Sequence, residues 1–237
     1  MTEAPDTLAE RLGRLETSQV SDILDEMGLT NQVFAPLAVR LGARTVAGRA
    51  GCVAGEPVVR GRAAPPALPA DILEQTAGAG RILVMAAAGY TAGSCMGGLI
   101  AASLLRRGCR GVITDGSVRD GDEIAGLGLP LFAAAVSPVN SARRWRLVRA
   151  GALVLMPGMV GQPVAVAPDD LILADGDGVL SVPANAAEEV IAHAEALAAI
   201  EGRIRGAMAA GLSRPEAFAA HPRFDHVTRA DRVSKVT

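Results

Sequence analysis

The sequence predicts an α/β chain whose sheet is largely parallel and covered by helices. Compact apolar runs at Arg81–Ala87, Gly111–Asp115 and Leu131–Ala135 alternate with helical stretches at Leu99–Arg107 and Arg119–Leu127. Strand, helix, strand, helix, strand at these separations is the pattern of parallel strands joined by crossover helices. The runs are apolar nearly throughout, as strands buried on both faces are. Half of the 237 residues are apolar but only 3% are aromatic, so Ala, Val, Leu and Ile must fill the core.

Along the chain, two short helical patterns come first, Leu8–Leu15 and Val20–Met27. Ser18 or Ser21 is placed to cap the second, and Gly28 to end it. Val46–Arg60 is Val-rich and punctuated by Gly, which predicts twisted strands, and Arg62–Pro69 reads as a Pro/Ala loop. After Arg81–Ala87 comes a Gly-rich turn, Gly89–Gly98, and the following helix stops at Gly108. Gly111–Asp115 ends at a turn on Gly116. Beyond residue 150, Ala152–Met156, Pro163–Val166, Leu171–Asp175 and Val179–Val182 read as short strands joined by tight turns. Ala184–Arg205 is a long helix with acidic residues early, where the helix dipole favours them. Met208–Arg223 reads as a second helix bent near Pro215, and the last dozen residues as a polar tail. The whole is expected to be one domain, with a core over about residues 15–205 and a helical and polar extension over 206–237.

Composition excludes several classes. Formal charge is −2, with no basic block or interleaved aromatics, so no nucleic-acid surface is expected. Cys52, Cys95 and Cys109 are scattered and odd in number, which predicts buried thiols in a reducing compartment. The charged start (Glu3, Asp6, Glu10, Arg11, Arg14, Glu16) is no signal peptide, and no apolar stretch reaches the ~20 residues of a membrane span. A cytoplasmic protein is expected. Gly78-Ala79-Gly80 precedes a strand instead of following one, a poor dinucleotide fingerprint. His193, His221 and His226 pair with no Ser or Cys at catalytic spacing, and "DGDG" at Asp175–Gly178 reads as a β-turn.

The chemistry is expected beyond the carboxyl ends of the strands, where open α/β sheets bind ligands. One such end offers Gly93, Gly97 and Gly98 ahead of a helix, suited to an anion. The other offers Asp115, Gly116, Arg119, Asp120, Asp122 and Glu123. A guanidinium can hold a carboxylate and an enolate oxygen in one planar fork, and an adjacent carboxylate can hold Mg²⁺ or Mn²⁺.

Gly98, twenty intervening residues, Arg119, Asp120, two residues and Glu123, together with "SDILDEMG" at Ser21–Gly28, resemble the RraA-like family. That family includes 4-hydroxy-4-methyl-2-oxoglutarate aldolases and oxaloacetate decarboxylases. The resemblance implies an α/β/α swivelling-type fold and a homotrimer, or a hexamer of two trimers, with sites at subunit interfaces. It implies that the backbone amides of Gly97, Gly98, Leu99 and Ile100 bind the substrate carboxylate. By the same resemblance Arg119 contacts that carboxylate and the keto oxygen, and Asp120 ligates the cation. Glu123, and a glutamate from a neighbouring subunit's carboxy-terminal helix, would reach the cation's waters; Glu195 and Glu201 both qualify for the latter, Glu201 in "EGRIR" slightly better. The dedicated aldolases carry Asp where this chain has Gly98. Glycine has no acid or base to offer, so decarboxylation of an oxaloacetate-type 2-oxo acid through a pyruvate enolate is expected ahead of aldol cleavage. The alternative from another class is a non-catalytic regulator that binds a ribonuclease or another protein.

Overall fold

The computed structural model describes residues 6–228 apart from 43, 44, 60, 62–65, 67 and 70. The elements run α1 (Thr7–Leu12), α2 (Thr17–Glu26), β1 (Val39–Leu41), β2 (Val46–Pro57), α3 (Ile72–Thr76), β3 (Arg81–Ala86), β4 (Ser94–Met96), α4 (Gly98–Arg106) and β5 (Gly111–Val118). They continue with α5 (Gly121–Leu127), β6 (Leu131–Val136), β7 (Trp145–Ala150), β8 (Val154–Met156), β9 (Val164–Val166), β10 (Leu171–Ala174), β11 (Val179–Val182), α6 (Ala187–Ala209) and α7 (Arg214–Ala220).

The main sheet has the order β1-β6-β5-β3-β2-β10-β11. Its centre, β6-β5-β3-β2, is parallel as expected, but β1, β7, β10 and β11 all pair antiparallel around it. Strands β1, β4 and β7 and the short α3 carry too little periodicity to be read from sequence. Where β3 stops at Ala86, β4 takes its place alongside the second half of β5, again parallel.

The sheet is curled, and alternate residues serve different cores. Ile82 and Val84 of β3 face inward, where the two-stranded β8–β9 ribbon fills the concavity with Val154, Met156, Val164 and Val166. Leu83 and Met85 face the other way, against Leu73, Ala101, Leu104 and Ile124 from α3, α4 and α5. A separate apolar cluster joins α1, α2 and α6 to β10 and β11. Period-two alternation in β3 thus loads both faces of one strand, which is why its sequence reads as apolar throughout.

Several expectations need correction. Gly116 does not end a strand; β5 runs through it to Val118, fully buried. Its lack of a side chain instead admits Ala87 and Cys95, whose Cβ and Sγ would lie 2.7 Å and 3.0 Å from a Cβ at this position. Neither Ser18 nor Ser21 caps α2: Glu16 does, in a reciprocal capping box with Gln19. Gly28 closes that helix as expected, at φ +79°. Val46–Arg60 holds one long strand, with a register shift at Ala54/Gly55 where the Trp145 ring occupies the space a Gly55 side chain would need. Pro215 bends nothing; it stands in the first turn of α7, where a missing N–H costs nothing, while α6 continues to Ala209. The loop expected over Arg62–Pro69 and the polar tail fall largely outside the described residues.

Cys52 and Cys109 are buried as expected, whereas Cys95 is half-buried. Burial pushes the Cys52 and Cys95 thiols up to about 12, the latter with help from Asp115. No helix among the described residues is long and apolar enough to cross a membrane.

Candidate active site

Two segments meet at one rim of the sheet. Gly97 and Gly98 leave β4 and open α4, while Arg119 and Asp120 leave β5 and open α5. Pairing of β4 with β5 brings the two exits side by side, and Arg119 N donates to Met96 O at 3.1 Å. Residues far apart in sequence become contact neighbours because both strands end at the same level of the sheet.

The Asp120 carboxylate sits at the junction. Its Oδ2 accepts from Gly98 N at 3.0 Å and lies 3.4 Å from Arg119 Nε. Asp120 holds φ +59°, a left-handed conformation uncommon for a side-chain-bearing residue. That backbone turns the carboxylate back over the start of α4. Gly97 is required by the same crowding: a Cβ there would stand 2.5 Å from Asp120 Oδ2 and 2.9 Å from Arg119 Nε. Arg119 and Asp120 keep 38% and 41% of their side-chain surface exposed, so both are reachable. They line a hollow of about 260 Å³ together with Gly121, Val136, Ser137 and Pro138. A larger hollow of about 500 Å³, lined by Arg14, Leu105 and Arg110 among others, lies elsewhere and touches none of these residues.

Gly98 N is already bonded to Asp120, whereas the amides of Leu99 and Ile100, in the first turn of α4, have no intrahelical acceptor. Glu123 changes the expectation attached to Gly98. Its carboxylate occupies the space where a Gly98 side chain would begin. The glycine therefore does not leave this spot without an acid or base; α5 supplies one from the other side of the junction. Asp122 is exposed on the same helix.

One other expectation turns out differently. Asp115 is not at the rim: it is buried and bonded to the turn after β3. Glu195 and Glu201 are both engaged within their own chain. Arg11 grips Glu195 through two bonds, at 2.9 Å and 2.7 Å, and holds its carboxyl below the usual range. Glu201 accepts from Gln19 at 3.0 Å and from Arg223 at 2.7 Å. Reaching a neighbouring site would require either glutamate to leave its arginine.

Mg²⁺ or Mn²⁺ that keeps most of its waters needs only one or two carboxylates, and Asp120 and Glu123 are hard oxygen donors of that kind. Among the described residues no group of three or more His, Cys, Asp or Glu stands together for a closed metal site. Sequence reading missed Val136, Ser137 and Pro138 as pocket walls, and nothing local marks them. It also missed the contact of Trp145 Nε1 with Ala87 O at 3.1 Å, the residue's one signal being that it is the sole tryptophan in the chain.

The model of the RraA-like family, described as Aldolase/RraA, matches residues 17–181, which span the two segments and the sheet that joins them. The chain belongs to that family. Among RraA-like relatives, a putative 4-hydroxy-4-methyl-2-oxoglutarate aldolase of Thermus thermophilus is 34% identical over 117 residues, 49% of this chain and 67% of the relative. A protein of the same description from Albidiferax ferrireducens is 35% identical over 101 residues, 43% of this chain and 55% of the relative. Among solved structures, an uncharacterized protein from Pseudomonas syringae pv. tomato superposes with a TM-score of 0.73 at 24% identity, covering 92% of this chain and 99% of that one. RraAS2 of Streptomyces coelicolor, described as an unusual member of the RNase ES inhibitor RraA family, also gives 0.73 at 24% identity, covering 86% and 98%. At that identity the likeness establishes the RraA fold alone.

Proposed function

We propose that this RraA-like chain is a divalent-cation-dependent carbon–carbon lyase acting on a 2-oxo diacid, with oxaloacetate decarboxylation the reaction its residues suit most directly. The observation that supports this reading is the convergence on Asp120 of the Gly98 amide and the Arg119 guanidinium, beside the open first turn of α4. The aldolase descriptions of its relatives point to the same class of reaction.

The roles follow from the chemistry of each group. The Leu99 and Ile100 amides, at a helix amino terminus, bind the substrate carboxylate. Arg119 forks across that carboxylate and the keto oxygen. As the carbon–carbon bond breaks, its electron pair moves toward the keto oxygen, and the fixed guanidinium holds the growing charge. Asp120 would hold the cation, which when bound draws further electron density from the keto oxygen. Decarboxylation asks little more than this. Aldol cleavage also needs a base for the 4-hydroxyl proton, and Glu123, over Gly98, is the carboxylate placed to take it.

Leu99 and Val136 flank the site at 83% and 61% exposed. A neighbouring subunit of a homotrimer or hexamer would cover such side chains, and sedimentation velocity would show that assembly.

The test is turnover of oxaloacetate and of 4-hydroxy-4-methyl-2-oxoglutarate with Mg²⁺, with and without chelator. Arg119→Ala should lower kcat/KM on both by about a hundred-fold or more. Glu123→Gln should cut aldol cleavage by about a hundred-fold and decarboxylation far less. Chelator-insensitive turnover, or full activity in Arg119→Ala, would overturn the reading. A wild-type protein inactive on oxo acids that binds a ribonuclease would replace it with the regulatory one.

A further inference from the structure

Asp115 is a buried charged group for which the chemistry above has no use. It stands in β5 only 5% exposed, on the strand whose end leads into Arg119. Its Oδ1 accepts from Ala87 N at 2.5 Å and its Oδ2 from Gly89 N at 2.7 Å. Between those two amides is Ala88, whose φ of +57° lies in the left-handed region that a side-chain-bearing residue adopts at a cost.

The same turn is gripped from other sides. Trp145 Nε1 donates to Ala87 O at 3.1 Å, Ser117 N to Tyr90 O at 3.1 Å, and Ser117 Oγ to Thr91 O at 3.0 Å. Gly116 lets β5 approach Ala87 and Cys95 closely. From Thr91 the chain runs through β4 directly into Gly97 and Gly98. Strain concentrated next to a site, and over-determined by hydrogen bonds, fits a role in setting geometry.

We infer that Asp115 is a positioning residue: by bracing the 87–91 turn it delivers β4 and the first turn of α4 to Arg119 and Asp120 in the geometry that binds the substrate carboxylate. The role rests on the lyase reading of that site. A carboxylate is needed because both partners are N–H donors. Asparagine can accept from one, but presents its own NH₂ to the other.

A comparison within the molecule separates positioning from plain stability. Asp170, 8% exposed, also accepts two backbone amides, from Ala167 at 2.8 Å and Ala184 at 2.9 Å, next to the positive-φ residue Asp169. It adjoins β10, with β3 and β2 between β10 and β5 in the sheet. Asp115→Asn should raise KM for oxaloacetate about ten-fold while kcat stays within about three-fold, the signature of lost binding shared by ground and transition states. Amide hydrogen exchange over residues 87–98 should quicken in this variant. Asp170→Asn should lose thermal stability but leave KM and that exchange unchanged.

Unchanged KM and unchanged exchange in Asp115→Asn would overturn the inference, as would an equal KM rise in Asp170→Asn. If Asp115→Asn does not fold, Trp145→Phe keeps an aromatic ring there but removes the Nε1 grip on Ala87. It should raise KM about three-fold, and unchanged KM there would overturn the inference equally. The exchange measurement needs no turnover, so a wild-type protein inactive on oxo acids counts against the lyase reading, while the exchange result still decides whether Asp115 holds the turn.

Discussion

Asp115 and Asp170 are chemically alike and differ in what they hold. Each is buried, each accepts two backbone amides, and each sits against a non-glycine residue with positive φ. Asp170 ties the approach to β10 to the residues that lead into α6, where the neighbouring strand and helix are sealed by Leu171, Val182, Ala187 and Val190. Asp115 ties a turn whose far end is open, at a rim carrying exposed Leu99 and the half-exposed Arg119–Asp120 pair. The same local device lies against a sealed core at one place and leads to an exposed rim at the other. A buried carboxylate bonded to backbone therefore says how a loop is held, and only the loop's destination says why.

Three measurements press on that comparison, beginning with the largest effect on stability. Asp115→Asn and Asp170→Asn should each cost about 1–3 kcal/mol of unfolding free energy, the penalty for a buried donor left without its acceptor; denaturant titration reads it. A loss at one position only would break the likeness between them.

Asp175 comes next, as a brace nearer the surface. It accepts from Thr17 N at 2.8 Å and Thr17 Oγ1 at 2.7 Å, tying the β10–β11 turn to α2. Burial raises its pKa, but the Thr17 amide and hydroxyl, with the Asp177 and Gly178 amides, outweigh that and hold it below the ordinary 3.8. Because the folded value is depressed, its stabilisation is present above 3.8 and is lost as pH falls through the folded value. Asp175→Asn should cost about 1 kcal/mol at neutral pH and flatten the stability profile below about pH 4.

The smallest change in stability is expected at the site itself. Gly98→Ala adds a good helix former in the first turn of α4, so stability should move by less than about 0.5 kcal/mol. The added methyl takes the space of the Glu123 carboxylate, and aldol cleavage should fall by about ten-fold or more. A variant that unfolds, or that cleaves normally, would show that the rim is not the relaxed, chemistry-bearing half of the comparison.

Much of this molecule was legible locally. The parallel centre follows from three apolar runs at crossover spacing, and α4 and α5 from the glycine-bounded stretches that follow them. Gly108 and Gly128 end those helices at φ +81° and +74°, as a left-handed terminus requires. Gly116 was misread because a glycine beside an aspartate signals a turn in sequence, whereas its real constraint is the approach of Ala87 and Cys95 from another segment. Pro215 was misread because a proline inside a helical pattern and a proline starting a new helix look alike until the preceding helix ends.

At the site, the spacing of Gly98, Arg119, Asp120 and Glu123 picked out four positions that the fold brings together at one rim. It did not say that Glu123 stands over Gly98, or that Gly98 N is taken by Asp120. Those facts depend on β5 continuing to Val118 and on β4 pairing with its last residues. Asp115 shows the same division. Its sequence position is next to the chemistry, but strand alternation turns it inward, onto a turn that is distant in the chain. What the residues determined alone was the alternation of elements and the two strand ends rich in glycine and charge, because periodicity and glycine positions act over a few residues. What tertiary structure decided was which carboxylate stands exposed at the rim, which braces a turn, and which, like Glu195 and Glu201, is already held by an arginine. Those outcomes depend on contacts between segments far apart in the chain, which spacing does not encode.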